Sequence, residues 1–203
     1  MTTEKRSVVS LSDTEIKRNI HSWFAKATDD HVRAGRAWYA EAQQFCKELG
    51  LRYRVDPYIV ASVLSALSPN NKWERNKFDT VNCVNAFKQG RPQESVSVCT
   101  YNANKEKAFR ILYEGKKITA ESPKTHSFAM NVGYLSDDHI TIDKWHIRAC
   151  LCTPEEGIVP TVDSVTAKQY RRLEALTVEC ASGMTGFEYQ AIIWVAIKEA
   201  WGR

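Results

Sequence analysis

Apolar residues recur along this chain mostly at helical spacing. After a polar stretch over residues 1–11, expected to be a flexible lead-in, Ser12-Asp-Thr-Glu15 has the pattern of a capping box. There a Ser hydroxyl and a Glu carboxylate satisfy backbone N–H groups that a helix start leaves open. Ile16, Ile20, Trp23 and Phe24 follow, predicting a helix to about Ala27. Asp29 or Asp30 can cap a second helix carrying Val32, Trp38, Phe45 and Leu49 and stopping at Gly50. Asp56-Pro57 marks a third start, since proline at the first helical position gives up no needed hydrogen bond. The run from Tyr58 to Leu67 is apolar nearly all round and rich in Ala and Leu, which predicts a buried helix. Ser68-Pro-Asn-Asn71 ends it with loop chemistry. Further helices are expected at about 73–88, 104–113, 124–134, 143–152, 164–180 and 185–201. Ser95-Val-Ser-Val-Cys-Thr100 is expected as a loop or short helix, and the predicted fold class is all-α.

Composition changes this picture little. Of 203 residues, 43% are hydrophobic and 26% charged, as expected of an ordinary globular protein with one large domain or two small lobes. No apolar run reaches the roughly 20 residues of a membrane span, and Met1-Thr-Thr-Glu-Lys-Arg6 carries no apolar signal core, so a cytoplasmic protein is expected. Six scattered cysteines fit reduced core positions. Cys150-x-Cys152 suits no common zinc spacing, so no metal is expected. A net charge of +4 permits a polyanionic partner without requiring one; Arg52 to Arg54, Lys72 to Lys77, Lys116-Lys117 and Arg171-Arg172 are the local basic clusters.

Chemistry concentrates in Ser122-Pro-Lys-Thr-His-Ser-Phe-Ala-Met-Asn-Val132 and Ile140-Thr-Ile-Asp-Lys-Trp-His-Ile-Arg148. Lys124 is expected in the first turn of one helix and Asp143 as the cap of the next, nineteen positions on, with both facing one cleft. A partly desolvated lysine at a helix start makes a plausible nucleophile. A carboxylate beside it can accept a proton or stabilise a sugar cation. His146 and His126 are candidate acid–base groups, Lys144 brings a second amine, and Trp145 is a candidate stacking surface; each also has a plainer reading as packing or solvated helix. Asp137-Asp138-His139 reads as a loop turn rather than an ion site.

Lys124-Thr-x-x-x-x-x-Asn131 with Ile142-Asp143 and Arg148 resembles the endonuclease III branch of the helix-hairpin-helix DNA glycosylases. Asp56-Pro-Tyr58 with Leu64-Ser-Ala-Leu-Ser-Pro69, and Tyr101-Asn-Ala-Asn-Lys105 with Arg110-Ile-Leu112, are similar to further segments of that family in the same order, and Gln190 to Trp194 suits its closing helix. The resemblance implies a two-lobed helical fold with a DNA-binding cleft: residues 12–54 plus 150–203 as one lobe and 55–149 as the other. It implies a monomer that acts on double-stranded DNA, damaged or modified, flips a base and excises it. Lys124 would be the nucleophile, with AP lyase activity, and Asp143 the activating carboxylate. DNA contacts would come from Leu67, Ser68, Asn70, Asn71, Lys72, Ser122, Thr125 and Arg148. Departures are clear. Ala120-Glu-Ser-Pro123 replaces the glycine-rich hairpin, with no glycine, a proline that removes one backbone donor and an added carboxylate. Lys144-Trp145-His146 replaces Thr-His after Asp143, and the iron–sulfur cysteines expected after the last helix are missing, so no cofactor is expected. Two other expectations stand beside excision: a glycosylase-like transferase that modifies a thymine-derived base in the DNA of a bacterial virus, in the host cytoplasm, and a non-catalytic DNA-binding module.

Overall fold

The structure is a computed structural model, which describes residues 2–162 and 165–202. Among these residues the fold is all-α apart from one two-stranded sheet. In chain order the elements are β1 (Thr2–Lys5), α1 (Asp13–Ala25), α2 (Asp29–Tyr53), α3 (Pro57–Leu67), α4 (Trp73–Lys88), α5 (Asn102–Glu114), α6 (Pro123–Tyr134), α7 (Lys144–Leu151), β2 (Ile158–Thr161), α8 (Ala167–Cys180) and α9 (Gly186–Trp201). Single turns of 3-10 helix lie at Val8–Ser10, Gln93–Ser95 and Pro154–Glu156. None of the helices is long and apolar enough to cross a membrane. The chain divides into two compact units, residues 1–39 with 137–203, and residues 40–136. The division falls inside α2 and after α6, whereas the resemblance implies one near residues 54 and 149.

In the first unit, α1 packs against α7, α8 and α9, burying Ile16, Asn19, Ile20 and Trp23 along one stripe. Its start is the expected capping box between Ser12 and Glu15. The C-terminal carbonyls of α7, open by helix geometry, receive donors from far along the chain. Asn19 Nδ2 donates to Cys150 O at 3.0 Å, Arg6 to Leu151 O at 3.1 Å and Trp23 Nε1 to Cys152 O at 2.9 Å. The lead-in expected to be flexible is built into this unit: Thr2 to Lys5 pair in parallel with Ile158 to Thr161, and Val8 is buried. Four-residue strands are too short to show an alternating pattern, which is why the sequence hides them. Arg172 holds the segment, donating to Val8 O, Leu11 O and Asp13 Oδ1. Helices α8 and α9 each begin with a capping box, Thr166 with Gln169 and Thr185 with Glu188. Helix α8 starts at Ala167; Ser164, the expected start, lies outside the described residues.

In the second unit, α3 is the central rod, buried from Val60 to Leu67 and packed against α4, α5 and α6. Asp56 Oδ1 caps it through Tyr58 N and Ile59 N. Ser65 Oγ donates to Thr125 O at 2.5 Å, tying α3 to the first turns of α6. Helix α2 runs past Gly50 to Tyr53. Gly50 answers a packing need instead of a stop: a Cβ there would lie 2.7 Å from Val55 O. The left-handed turn falls on Arg54, at φ +51°. Asp79 is fully buried, accepting from Arg75 Nε, Asn71 Nδ2 and Cys99 N.

Candidate active site

The segment leading to Asp143 is extended and fixed on both sides. Ile140 and Ile142 are buried. Tyr170 Oη donates to Ile140 O at 2.7 Å and accepts from Ile142 N at 2.9 Å, while Glu174 accepts from Ile140 N at 2.8 Å. The next residue, Asp143, caps α7, as the sequence predicts. Its Oδ1 accepts from Trp145 N and His146 N, both at 2.9 Å, and its Oδ2 from Trp194 Nε1 at 3.1 Å. An ionised carboxylate offers roughly four acceptor positions. Three are taken, which leaves one on this half-buried group for a water or a substrate atom.

Trp145, whose backbone N–H reaches that carboxylate, gathers Lys144 and Arg148 of α7 and Lys198 of α9 on its ring, and Trp194 of α9 meets the carboxylate directly. The Arg148 guanidinium lies 4.7 Å from the Trp145 ring centre, and its Nε donates to Pro160 O at 3.0 Å. Lys144 and Lys198 lie 5.3 and 5.7 Å from the same ring, and Lys198 lies 4.9 Å from the Trp194 ring. Trp38 packs on Trp194 at 5.7 Å between ring centres. The α7 half of this cluster is legible in sequence. Trp194 and Lys198 are not, because the last helix offers only an apolar run and a single lysine at i+4 from a tryptophan.

His146 does not join the cluster. Its ring is wholly buried, with Nε2 2.8 Å from Thr177 Oγ1. Thr177 gives its own proton to Leu173 O at 2.7 Å, so Nε2 is the donor and Nδ1 the unprotonated nitrogen. Nδ1 is buried with no hydrogen-bond partner. Burial pushes the imidazole down to about 4, as expected for a neutral histidine inside a core.

The other candidates lie in the second unit. Lys124, Thr125 and His126 form the first turn of α6 with Ser122 as its cap residue; the Ser122 side chain makes no capping bond. Lys124 is exposed, where the sequence pattern leads one to expect partial desolvation. The desolvated lysine of this region is Lys107 on α5, lowered by burial, with Nζ 3.4 Å from Ser122 Oγ. No local pattern marks it, since it reads as one of two solvated lysines on its helix. Thr125 Oγ1 donates to Ser122 O. The hairpin before α6 is a tight turn closed by Ser122 N to Thr119 O at 3.1 Å, with Glu121 exposed at its tip.

After α3, Leu67 is fully buried and Ser68 half-buried, so neither stands out toward solvent. Asn70 takes a left-handed conformation, φ +57°, and donates to Tyr101 Oη; Asn71 donates to Leu67 O and Asp79 Oδ2. Lys72 is exposed at the start of α4. Asp137 accepts from Gly186 N at 2.8 Å, a structural contact, and no cluster of metal-ligating side chains occurs among the described residues.

No curated protein and no solved structure matches the chain significantly. Its residues 2–201 match a protein family described as a family of unknown function, DUF7178, and the chain belongs to that family.

Proposed function

We propose that this protein is a DNA glycosylase-type enzyme that flips a damaged or modified base and breaks its N-glycosidic bond, with Asp143 as activating carboxylate and Lys124 as nucleophile. The observation that supports this is the setting of Asp143. Three N–H donors fix its two oxygens, one acceptor position stays open, and Trp145, whose backbone N–H is one of those donors, carries three cations on its indole. A carboxylate held this way needs little reorganisation when positive charge grows on a sugar. A base inside a duplex is out of reach, so the substrate nucleotide must leave the stack. The Lys124 amine then attacks C1′, the base departs with the bonding electrons and a proton, and the sugar is left as a Schiff base on the enzyme.

The hairpin favours a second reading. Its tip carries exposed Glu121 and no glycine, and Lys124 is exposed rather than desolvated. A transferase that exchanges a leaving group on a thymine-derived base for an amine, with the strand left intact, needs neither a hairpin grip nor a lysine Schiff base.

Borohydride trapping on duplexes carrying different damaged or modified bases, beside Lys124→Ala and Asp143→Asn variants, tests both. A covalent protein–DNA band absent from Lys124→Ala supports the bifunctional glycosylase. Abasic sites without a band support Asp143-driven hydrolysis. A heavier base in an intact strand supports the transferase. None of the three on any duplex overturns the enzymatic proposal.

A further inference from the structure

Three cations gather on one indole, and among the described residues none of them is ion-paired. Lys144, Arg148 and Lys198 all have their charged groups within 5.7 Å of the Trp145 ring centre. The helices set this up: Lys144 and Arg148 stand one turn apart on α7, Trp194 and Lys198 one turn apart on α9, and the two helices pack together. Among the described residues none of the three forms an ion pair with a carboxylate. Asp143, the acid next to Lys144 in the chain, forms no ion pair with any of them, and three of its acceptor positions are taken by N–H donors. Each cation–π contact draws a positive group to the face of the ring. That holds the side chains on the ring but leaves their summed positive field intact.

Arg148 is the member of the cluster built most rigidly. It is half-buried, its guanidinium lies against Trp145, and its Nε is committed to Pro160 O, while its two terminal amino groups have no hydrogen-bond partner among the described residues. Such a fork matches two oxygens of one oxyanion. Lys144 and Lys198 add point charges near the same place.

We propose that Arg148, Lys198 and Lys144, assembled on Trp145 beside Asp143, form a phosphate-binding subsite. Three positive charges around one ring suit a phosphate ester, whose several oxygens can meet a guanidinium and two ammonium groups at once, better than a lone carboxylate. The phosphate comes from the backbone of a nucleic-acid strand or from the phosphoryl end of a smaller molecule. The subsite rests on the DNA-directed reading for the first of these sources, and its existence does not depend on catalysis.

The test is equilibrium binding of the full chain to a fluorescein-labelled, 5′-hydroxyl oligothymidylate across a salt series, with inorganic pyrophosphate as titrant and competitor in a second arm. Arg148→Gln and Lys198→Gln are measured with Lys168→Gln, an exposed position on α8, as control. A strand source is expected to show oligothymidylate binding weakened about tenfold by each site variant. The slope of log affinity on log salt should fall by about 0.7 for each phosphate interaction that a variant removes. A phosphoryl source shows pyrophosphate binding weakened by the same variants. Lys168→Gln should bind as wild type in both arms. Binding of neither ligand, or site variants that melt like wild type and bind both ligands equally well, overturns the subsite. Asp143→Asn separates this from the catalytic proposal. Binding kept while turnover is abolished in that variant supports both. Turnover kept in Asp143→Asn removes the catalytic role and leaves the subsite standing.

Discussion

Asp143 both caps a helix and presents a carboxylate, and one substitution separates the two. Asparagine is as good a cap as aspartate, so Asp143→Asn should keep α7 in place. Its amide nitrogen would face Trp194 Nε1, a donor against a donor, at a cost of about 1–2 kcal/mol by thermal melting. Turnover should fall about a hundredfold or more if the carboxylate works as proposed; a variant with wild-type turnover would reduce Asp143 to a cap. His146 carries a stability prediction of its own. Its folded pKa, about 4, is below the ordinary 6.5, so the unfolded chain binds the proton more readily. Its stabilising effect is therefore full above about pH 6.5 and is lost as pH falls toward 4. The loss is about 3 kcal/mol at most. Urea midpoints measured from pH 7 to 4 should drop, and His146→Gln should flatten that stretch of the curve. An equal drop in the variant would assign it to the carboxylates. Both residues are only half legible in the sequence. The cap follows from Asp before a helix. The burial of His146 beside half-exposed Trp145 depends on helix phase relative to α8, which no local pattern carries.

At the scale of elements, the helices were legible because their caps and stripes are local. Ser12 with Glu15, Asp56 with Pro57 and the apolar run to Leu67 all act within a few residues. The errors are non-local in cause. Gly50 looks like a stop but is needed where the chain folds back on Val55 O, and β1 and β2 exist only through each other across the sequence. Gly35 is a similar case inside α2. A Cβ there would lie 2.6 Å from Ile192 Cα and N, so α2 and α9 meet backbone to backbone. Gly35→Ala gains up to about 1 kcal/mol in helix propensity but must push these packed helices away from each other, costing about 1–3 kcal/mol. A lowered melting temperature is expected, and an unchanged or raised one would mean that the approach is looser than described.

At the scale of the whole molecule, the two units differ in how the chain supplies them. Residues 40–136 are contiguous and contain α3 with the three helices that bury it. A fragment of these residues should therefore be helical by circular dichroism and melt cooperatively; a gradual, non-cooperative loss of signal would contradict this. The other unit is assembled from both ends of the sequence, and no sequence pattern announced that residues 2–5 would find residues 158–161. This has a consequence during synthesis. The first helix emerges early with Ile16, Ile20 and Trp23 prepared for burial, yet α7, α8 and α9, which cover them, are made last. At ordinary elongation speeds the wait is roughly ten to thirty seconds. For that time the nascent chain presents an apolar stripe with nothing to close it, which makes α1 a natural segment for a ribosome-associated chaperone to cover.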